Sequence, residues 1–162
     1  MKKQVIAIAN IKEDKIKGCI EFFEIINDDK VIVHVNMTGF KKNSVHGIHI
    51  HEAGDISDNC MGTCAHFNPY NKNHGGRTSK ERHVGDLGNI KADNNGNIDF
   101  QFSDKIIKLR GTKCNIIGRA IVIHEDEDDE GKGKYEDSLT TGHSGKRIAC
   151  GVIGYSKKMF KK

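Results

Sequence analysis

From Glu52 to about Gly85 the chain shows neither the period of two of a strand nor the 3.6 of a helix. A structureless stretch of that length is uncommon inside a compact domain unless it is functional. Something other than hydrophobic burial must then order it, and a bound metal is the usual answer. The ligands are at hand. His66, His74 and His83, followed by Asp86, are the side-chain types of a tetrahedral zinc site built from three histidines and one carboxylate. Just before the stretch, Gly47-Ile48-His49-Ile50-His51 reads as the end of a strand. Residues two apart in a strand share a face, so His49 and His51 can aim two imidazoles at one point. His124 ends the most apolar strand of the chain. His49, His51 and His124, with His66 or another loop histidine, could complete a second site. Four imidazoles without a thiolate suit copper(II). Six histidines and one aspartate serve two sites only if one histidine is shared or one site is three-coordinate.

The rest of the chain frames that stretch with strands. Gln4–Asn10, Ile16–Ile25, Val31–Met37 and Val45–His51 each read as a strand, separated by polar turns such as Asn27-Asp28-Asp29-Lys30. Asp86–Ala92 and Asn97–Ser103 flank Asp93-Asn94-Asn95-Gly96, a turn sequence that predicts a hairpin. Asn115–His124 and Ile148–Tyr155 complete the set, with a second long polar loop over Glu125–Lys146. Eight short strands, no helix pattern and two long loops predict an all-β domain spanning 1–162, a Greek-key β-sandwich or barrel.

Composition excludes several classes. The 26 basic and 22 acidic residues are mixed along the chain, so nucleic acid is not an expected partner. The only basic cluster, Lys157, Lys158, Lys161 and Lys162, is expected to be a solvated tail. No apolar run is long enough to span a membrane, and no apolar h-region follows Met1-Lys2-Lys3-Gln4. The expected compartment is the cytoplasm, or a host's cytoplasm if a virus encodes the chain. Five cysteines, Cys19, Cys60, Cys64, Cys114 and Cys150, include no C-x-x-C pair, and spacing assigns no bridge.

Several ordered segments resemble the copper/zinc superoxide dismutase family. They are Gly47–Asp55, His66-Phe67-Asn68-Pro69, His74-Gly75-Gly76, Arg82–Asn89, Gly118–Glu125 and Gly142–Gly154. The resemblance implies copper on His49, His51, His66 and His124, and zinc on His66, His74, His83 and Asp86, one ion of each per subunit. His66 is then the shared ligand. It also implies a Cys60–Cys150 disulfide, an Asp128 that links a copper histidine to a zinc histidine, and an Arg147 that attracts and orients an anion beside the copper. The implied activity is superoxide disproportionation, in which copper cycles and His66 supplies a proton. The implied partners are superoxide, a second copy of the chain meeting it through Ile116-Ile117-Gly118 and Val152-Ile153-Gly154, and a copper chaperone. A homologue that sequesters copper or buffers metal without turnover is the alternative. The chain departs from the family pattern at Cys64, at Thr140 and Lys146, and at its ending, in Tyr155 and the basic tail. Cys64 stands where a small residue is usual and could compete for Cys150. Thr140 stands where a steering lysine is common, and Lys146 adds a positive charge beside Arg147. His46 is expected to pack under the site, and His34 and His143 to face solvent.

Overall fold

Residues 4–161 are described by the structure, a computed structural model. Lys162 and the Met1-Lys2-Lys3 lead lie outside the described residues. Nine strands form two antiparallel sheets: β1 (Gln4–Glu13), β2 (Ile16–Ile25), β3 (Val31–Thr38), β4 (Val45–His51), β5 (Asp86–Lys91), β6 (Ile98–Asp104), β7 (Ala120–His124), β8 (Arg147–Val152) and β9 (Gly154–Tyr155). Alternation decides which side chains face inward. In β3, Val31, Val33, Val35 and Met37 are buried while Asn36 and Thr38 are exposed. The first sheet runs β6-β3-β2-β1-β9 and the second β5-β4-β7-β8. Their facing sides share one apolar core that includes Phe22, Val33, Ile48, Ile50, Ile121 and Ile123.

β4 and β7 differ from the other strands because they are buried on both faces. Ile48 and Ile50 point into the core, so His49 and His51 point out of the second sheet. Long loops cover that outer face. It is the covering that turns two outward histidines into a buried site.

The architecture is the expected Greek-key sandwich, with corrections. It is not a closed barrel, and the described residues form nine strands rather than eight. The segment read as one strand, Ile148–Tyr155, divides at Ile153. This residue is fully buried, its N–H bonds to the Arg119 carbonyl at 2.8 Å, and the chain then crosses to pair with β1. The expected hairpin around Asp93–Gly96 is a turn between sheets. β5 pairs with β4, β6 pairs with β3, and the turn closes through an Asp93 N–H to Asn97 carbonyl bond of 2.8 Å. Asn-Gly sequences specify a local reversal, and each flanking strand found a longer apolar partner elsewhere. Asn115–Arg119 is likewise a turn, with the strand starting at Ala120. The second loop holds a one-turn helix, α1 (Ser138–Thr141), and short 3-10 turns occur at Met61–Thr63 and Lys157–Phe160.

A disulfide joins Cys60 in the first loop to Cys150 on β8, across 90 residues of sequence. Together with Val122 of β7 it forms a small apolar cluster on the outer face of the second sheet. Cys64 is free and exposed, and Cys19 and Cys114 are free and half-buried. On the chain-entropy account a bridge closing a loop of this size stabilises by about 4–5 kcal/mol. Urea unfolding of metal-free Cys150→Ser protein is expected to show a loss of that order, and a loss below about 1 kcal/mol would contradict the bridge's role.

Candidate metal centre

The first loop is stitched onto β4 by main-chain bonds. The Ile50 N–H bonds to the Gly85 carbonyl at 2.9 Å, Phe67 N–H to the Ile50 carbonyl at 2.8 Å, and Gly85 N–H to the Phe67 carbonyl at 3.0 Å. His66 is bridged to His51 in the same ladder. A Cβ on Gly85 would lie 2.1 Å from the Ile50 oxygen, so only glycine lets this triple contact form. Further along the loop, buried Arg82 donates to Asp104 at 2.6 Å and to the carbonyls of Arg77, His83 and Val84. That knot fixes the turn carrying His83 and Asp86.

Four buried imidazoles converge: His49, His51, His66 and His124, each less than 5 % exposed. In three of them one ring nitrogen is engaged away from the centre. His51 Nδ1 donates to the Cys64 carbonyl at 2.8 Å, His124 Nδ1 to the Gly145 carbonyl at 3.1 Å, and His49 Nε2 to Asp128 Oδ2 at 2.6 Å. The opposite nitrogens, His49 Nδ1, His51 Nε2 and His124 Nε2, are buried with no partner among the described residues, as is His66 Nε2. A buried polar atom without a partner costs about 1–3 kcal/mol, and four gathered at one point fit a cation that takes lone pairs. Burial also lowers the proton affinity of His49, His51 and His66, and pushes His124 down to about 4, which keeps those lone pairs free near neutral pH.

A second group adjoins the first. Asp86 Oδ1 lies 3.0 Å from His66 Nδ1, 3.0 Å from His74 Nδ1 and 3.1 Å from His83 Nδ1. His66 Nδ1 and His83 Nδ1 are 3.3 Å apart. The edge of a tetrahedron with ligand bonds of about 2.0 Å is roughly 3.3 Å, so these four atoms have the spacing of a zinc shell. The other oxygen, Oδ2, is held by the N–H groups of Gly75 and His83 at 3.0 and 2.8 Å. Burial alone would raise the Asp86 carboxyl, but three imidazoles beside it hold it well below the usual carboxylate range. His66 belongs to both groups, with Nδ1 on the Asp86 side and Nε2 on the other.

The family model described as copper/zinc superoxide dismutase matches residues 16–153. The chain belongs to the copper/zinc superoxide dismutase family. A "Superoxide dismutase [Cu-Zn]" of Paramecium bursaria Chlorella virus 1 is 56 % identical over 158 residues, covering 98 % of this chain and 82 % of its own length. One of Schizosaccharomyces pombe is 48 % identical over 91 % of this chain and 96 % of its own. A solved structure of the clock protein EA4 is 43 % identical and superposes with a TM-score of 0.90, covering 96 % of this chain and 98 % of that one.

Asp128 accepts a hydrogen bond from one histidine of each group. It is fully buried and accepts from His49 Nε2 through Oδ2 and from His74 Nε2 through Oδ1, at 2.6 and 2.8 Å. Burial would lower His74, but Asp128 and Asp86 outweigh it and raise the imidazole to about 9 in the metal-free chain. Two residues that support Asp128 were not legible as such. Asn89 holds its backbone from both sides, donating to the Asp128 carbonyl at 2.9 Å and accepting its N–H at 2.7 Å. Gly142, at φ 69°, passes so close that a Cβ would lie 2.1 Å from Asp128 Oδ1 and 2.5 Å from His74 Nε2. Outer partners of this kind cost roughly 10–100-fold in metal affinity when removed. Asp128→Ala is expected to weaken metal retention by that factor while leaving the fold intact. Metal competition with a chelator checks it, and unchanged affinity would contradict the link.

Above the four-histidine centre opens a pocket lined by His66, His124, Thr140, Thr141, Lys146 and Arg147. Arg147 is fixed within it, Nη1 donating to the Cys60 carbonyl and to Thr63 Oγ1, each at 2.9 Å. Thr63 is a further residue that the sequence did not single out. The bridged cysteine thus positions the arginine as well as the loop. His46 does not join either group. Its Nδ1 lies 2.8 Å from the His124 carbonyl, and its ring packs on Phe40. His34 and His143 bond to Asp99 and Asp137 at the surface.

Proposed function

We propose that the chain disproportionates superoxide at a centre in which His49, His51, His66 and His124 hold copper and His66, His74, His83 and Asp86 hold zinc, one ion of each per subunit. The observation that carries this reading is the set of unpartnered buried nitrogens, His49 Nδ1, His51 Nε2, His66 Nε2 and His124 Nε2, gathered beside a tetrahedrally spaced histidine–aspartate group. His49 also lies near the zinc group. Its Nε2 is committed to Asp128 and its Nδ1 belongs to the other group, however, while His83 Nδ1 lies against Asp86, so His83 is the better fourth zinc ligand.

Copper bound there supplies one-electron cycling, which zinc cannot. The net reaction takes two superoxide anions and two protons to oxygen and hydrogen peroxide. The chain's own groups bind the anion and move protons. Arg147 presents a guanidinium, always charged and rich in N–H donors, at the floor of the pocket. Lys146 at the rim adds a second positive charge, while Thr140 contributes none. The steering charge is therefore shifted toward the chain segment before β8. His66 can carry a proton on Nε2 while Nδ1 stays engaged on the Asp86 side, so it could supply one of the two protons the reaction takes up.

The protein is further proposed to work in the cytoplasm, a host's if a virus encodes it. An extracellular relative exists in Drosophila melanogaster, and among the described residues no helix is long and apolar enough to cross a membrane. A homodimer is proposed through Ile117, Gly118, Val152 and Gly154. Ile116 and Ile153, also expected there, are fully buried within the chain. Val152, 40 % exposed, is the most exposed apolar side chain among these four residues. A copper chaperone is the proposed loading partner. Pulse measurement of superoxide decay with the copper- and zinc-loaded protein tests the central reading, and decay no faster than the spontaneous rate would refute it.

A further inference from the structure

The rim of the anion pocket carries a pair of side chains that the metal chemistry does not use. His143 Nδ1 lies 2.7 Å from Asp137 Oδ1, and both side chains are about half exposed. The imidazole is stacked on Tyr135, with ring centroids 3.7 Å apart and the planes 8° from parallel. The backbone of His143 sits at φ 51°, directly after Gly142, in a left-handed conformation that turns the ring back toward α1. The ring is thus held by a hydrogen bond at its edge and by a stack on its face.

Asp137 in turn belongs to the pocket. It lines the same hollow as Thr140, Thr141, Lys146 and Arg147. Its Oδ2 accepts from Thr141 Oγ1 at 3.0 Å, and its main-chain carbonyl accepts the N–H groups of Thr140 and Thr141. The hydrogen bond from His143 holds its carboxyl below the usual range. Asp137 is therefore a fixed negative charge in the lining of that hollow, beside Lys146 and Arg147. Glu136 is its acidic neighbour in the chain. A separate hollow on the other side of the imidazole is lined by Asp126, Glu127, Asp128, Asp129 and Glu130.

We propose that His143 is a positioning residue for superoxide entry. Protonated, it cancels the Asp137 charge and leaves Lys146 and Arg147 to attract the anion; neutral, it leaves Asp137 to oppose them. No movement is needed, because the pair keeps its geometry and changes only its net charge by one. Histidine is the side chain whose ordinary titration falls between pH 5 and 8. The proposal rests on the superoxide dismutase reading and on this pocket being the anion's route.

The test is kcat/KM for superoxide at low ionic strength, from about pH 6 to about pH 9, for wild type, H143Q and D137N. One rim charge should account for a roughly two- to threefold part of the total steering. The wild-type value is expected to rise by that factor toward acid, H143Q to stay flat at the lower value, and D137N, which lacks the negative charge at every pH, to begin at the higher value and rise further toward acid. Copper and zinc contents should be equal in all three, and a variant that loses metal would mark a structural role and overturn the proposal. Proton NMR of His143 in the zinc-loaded, copper-free protein supplies a readout apart from turnover, and its titration midpoint should coincide with that of the rate profile. A wild-type rise retained by H143Q, or midpoints that disagree, would also overturn it. Wild type loaded with both metals but inactive at every pH would instead refute the dismutase reading, and the entry proposal with it.

Discussion

Replacing His124 by alanine is expected to abolish superoxide turnover while the protein keeps its zinc. His124 reaches the centre from β7, opposite the two histidines of β4, and its Nε2 is one of the four unpartnered nitrogens. It takes no part in the His66, His74, His83 and Asp86 cluster. Removing partners that merely orient ligands costs roughly 10–100-fold, so loss of a ligand itself should lower activity by more than about 100-fold. The fold should survive, because the His124 side chain bonds only to the Gly145 carbonyl among the described residues, while its strand is held by β4 and β8. Elemental analysis beside a superoxide-consumption assay reads both halves of the expectation. Normal turnover would disprove the copper role, and joint loss of both metals would show the two groups to be less separable than their geometry suggests.

Arg147→Ala has the next largest expected effect. The guanidinium is held against the Cys60 carbonyl and Thr63, so its position is set before any anion arrives. Hydrogen bonds to charged groups contribute about 1.5–3 kcal/mol, which corresponds to a roughly 10- to 100-fold fall in kcat/KM. Arg147→Lys should recover only part of this, since lysine keeps the charge and loses the planar fork. Salt dependence gives a separate handle. Steered association, for which this enzyme family is a standard case, is faster by roughly 10–10³-fold than unsteered encounter. Raising ionic strength from 0.01 to 0.1 M shortens the screening length from about 30 to about 10 Å. Wild-type kcat/KM is expected to fall over that range, and the fall should be shallower in Arg147→Ala. A wild-type rate insensitive to salt would show that the Lys146 and Arg147 charges do not guide the substrate.

Most of the site was legible in the sequence, and the reason is physical. His49 and His51 announce themselves through the period of two, and the loop histidines through a stretch that carries no hydrophobic period to order it. Which nitrogen of each imidazole faces the centre was not legible, because it depends on distant carbonyls such as those of Cys64 and Gly145. Asp128 sits in a run of six acidic residues, and nothing in the run itself separates it from its neighbours. Its role came from family resemblance, and the space that Gly142 leaves for it became visible only in three dimensions. The fold errors share one cause. The pattern around Asp93–Gly96 specified a local turn correctly, whereas Ile148–Tyr155 read as one strand and hid the break at Ile153; in both places the partner of each flanking strand is set by long-range packing between sheets. That choice also has a functional consequence. Pairing β5 with β4 sets Asp86 beside His49, which brings the carboxylate of one histidine group to the edge of the other.

The most direct test is to measure copper, zinc and superoxide consumption on the same purified sample. One copper and one zinc per chain, with superoxide decay accelerated in proportion to the copper content, is the predicted result. Zinc bound without copper, or copper bound without turnover, would contradict it.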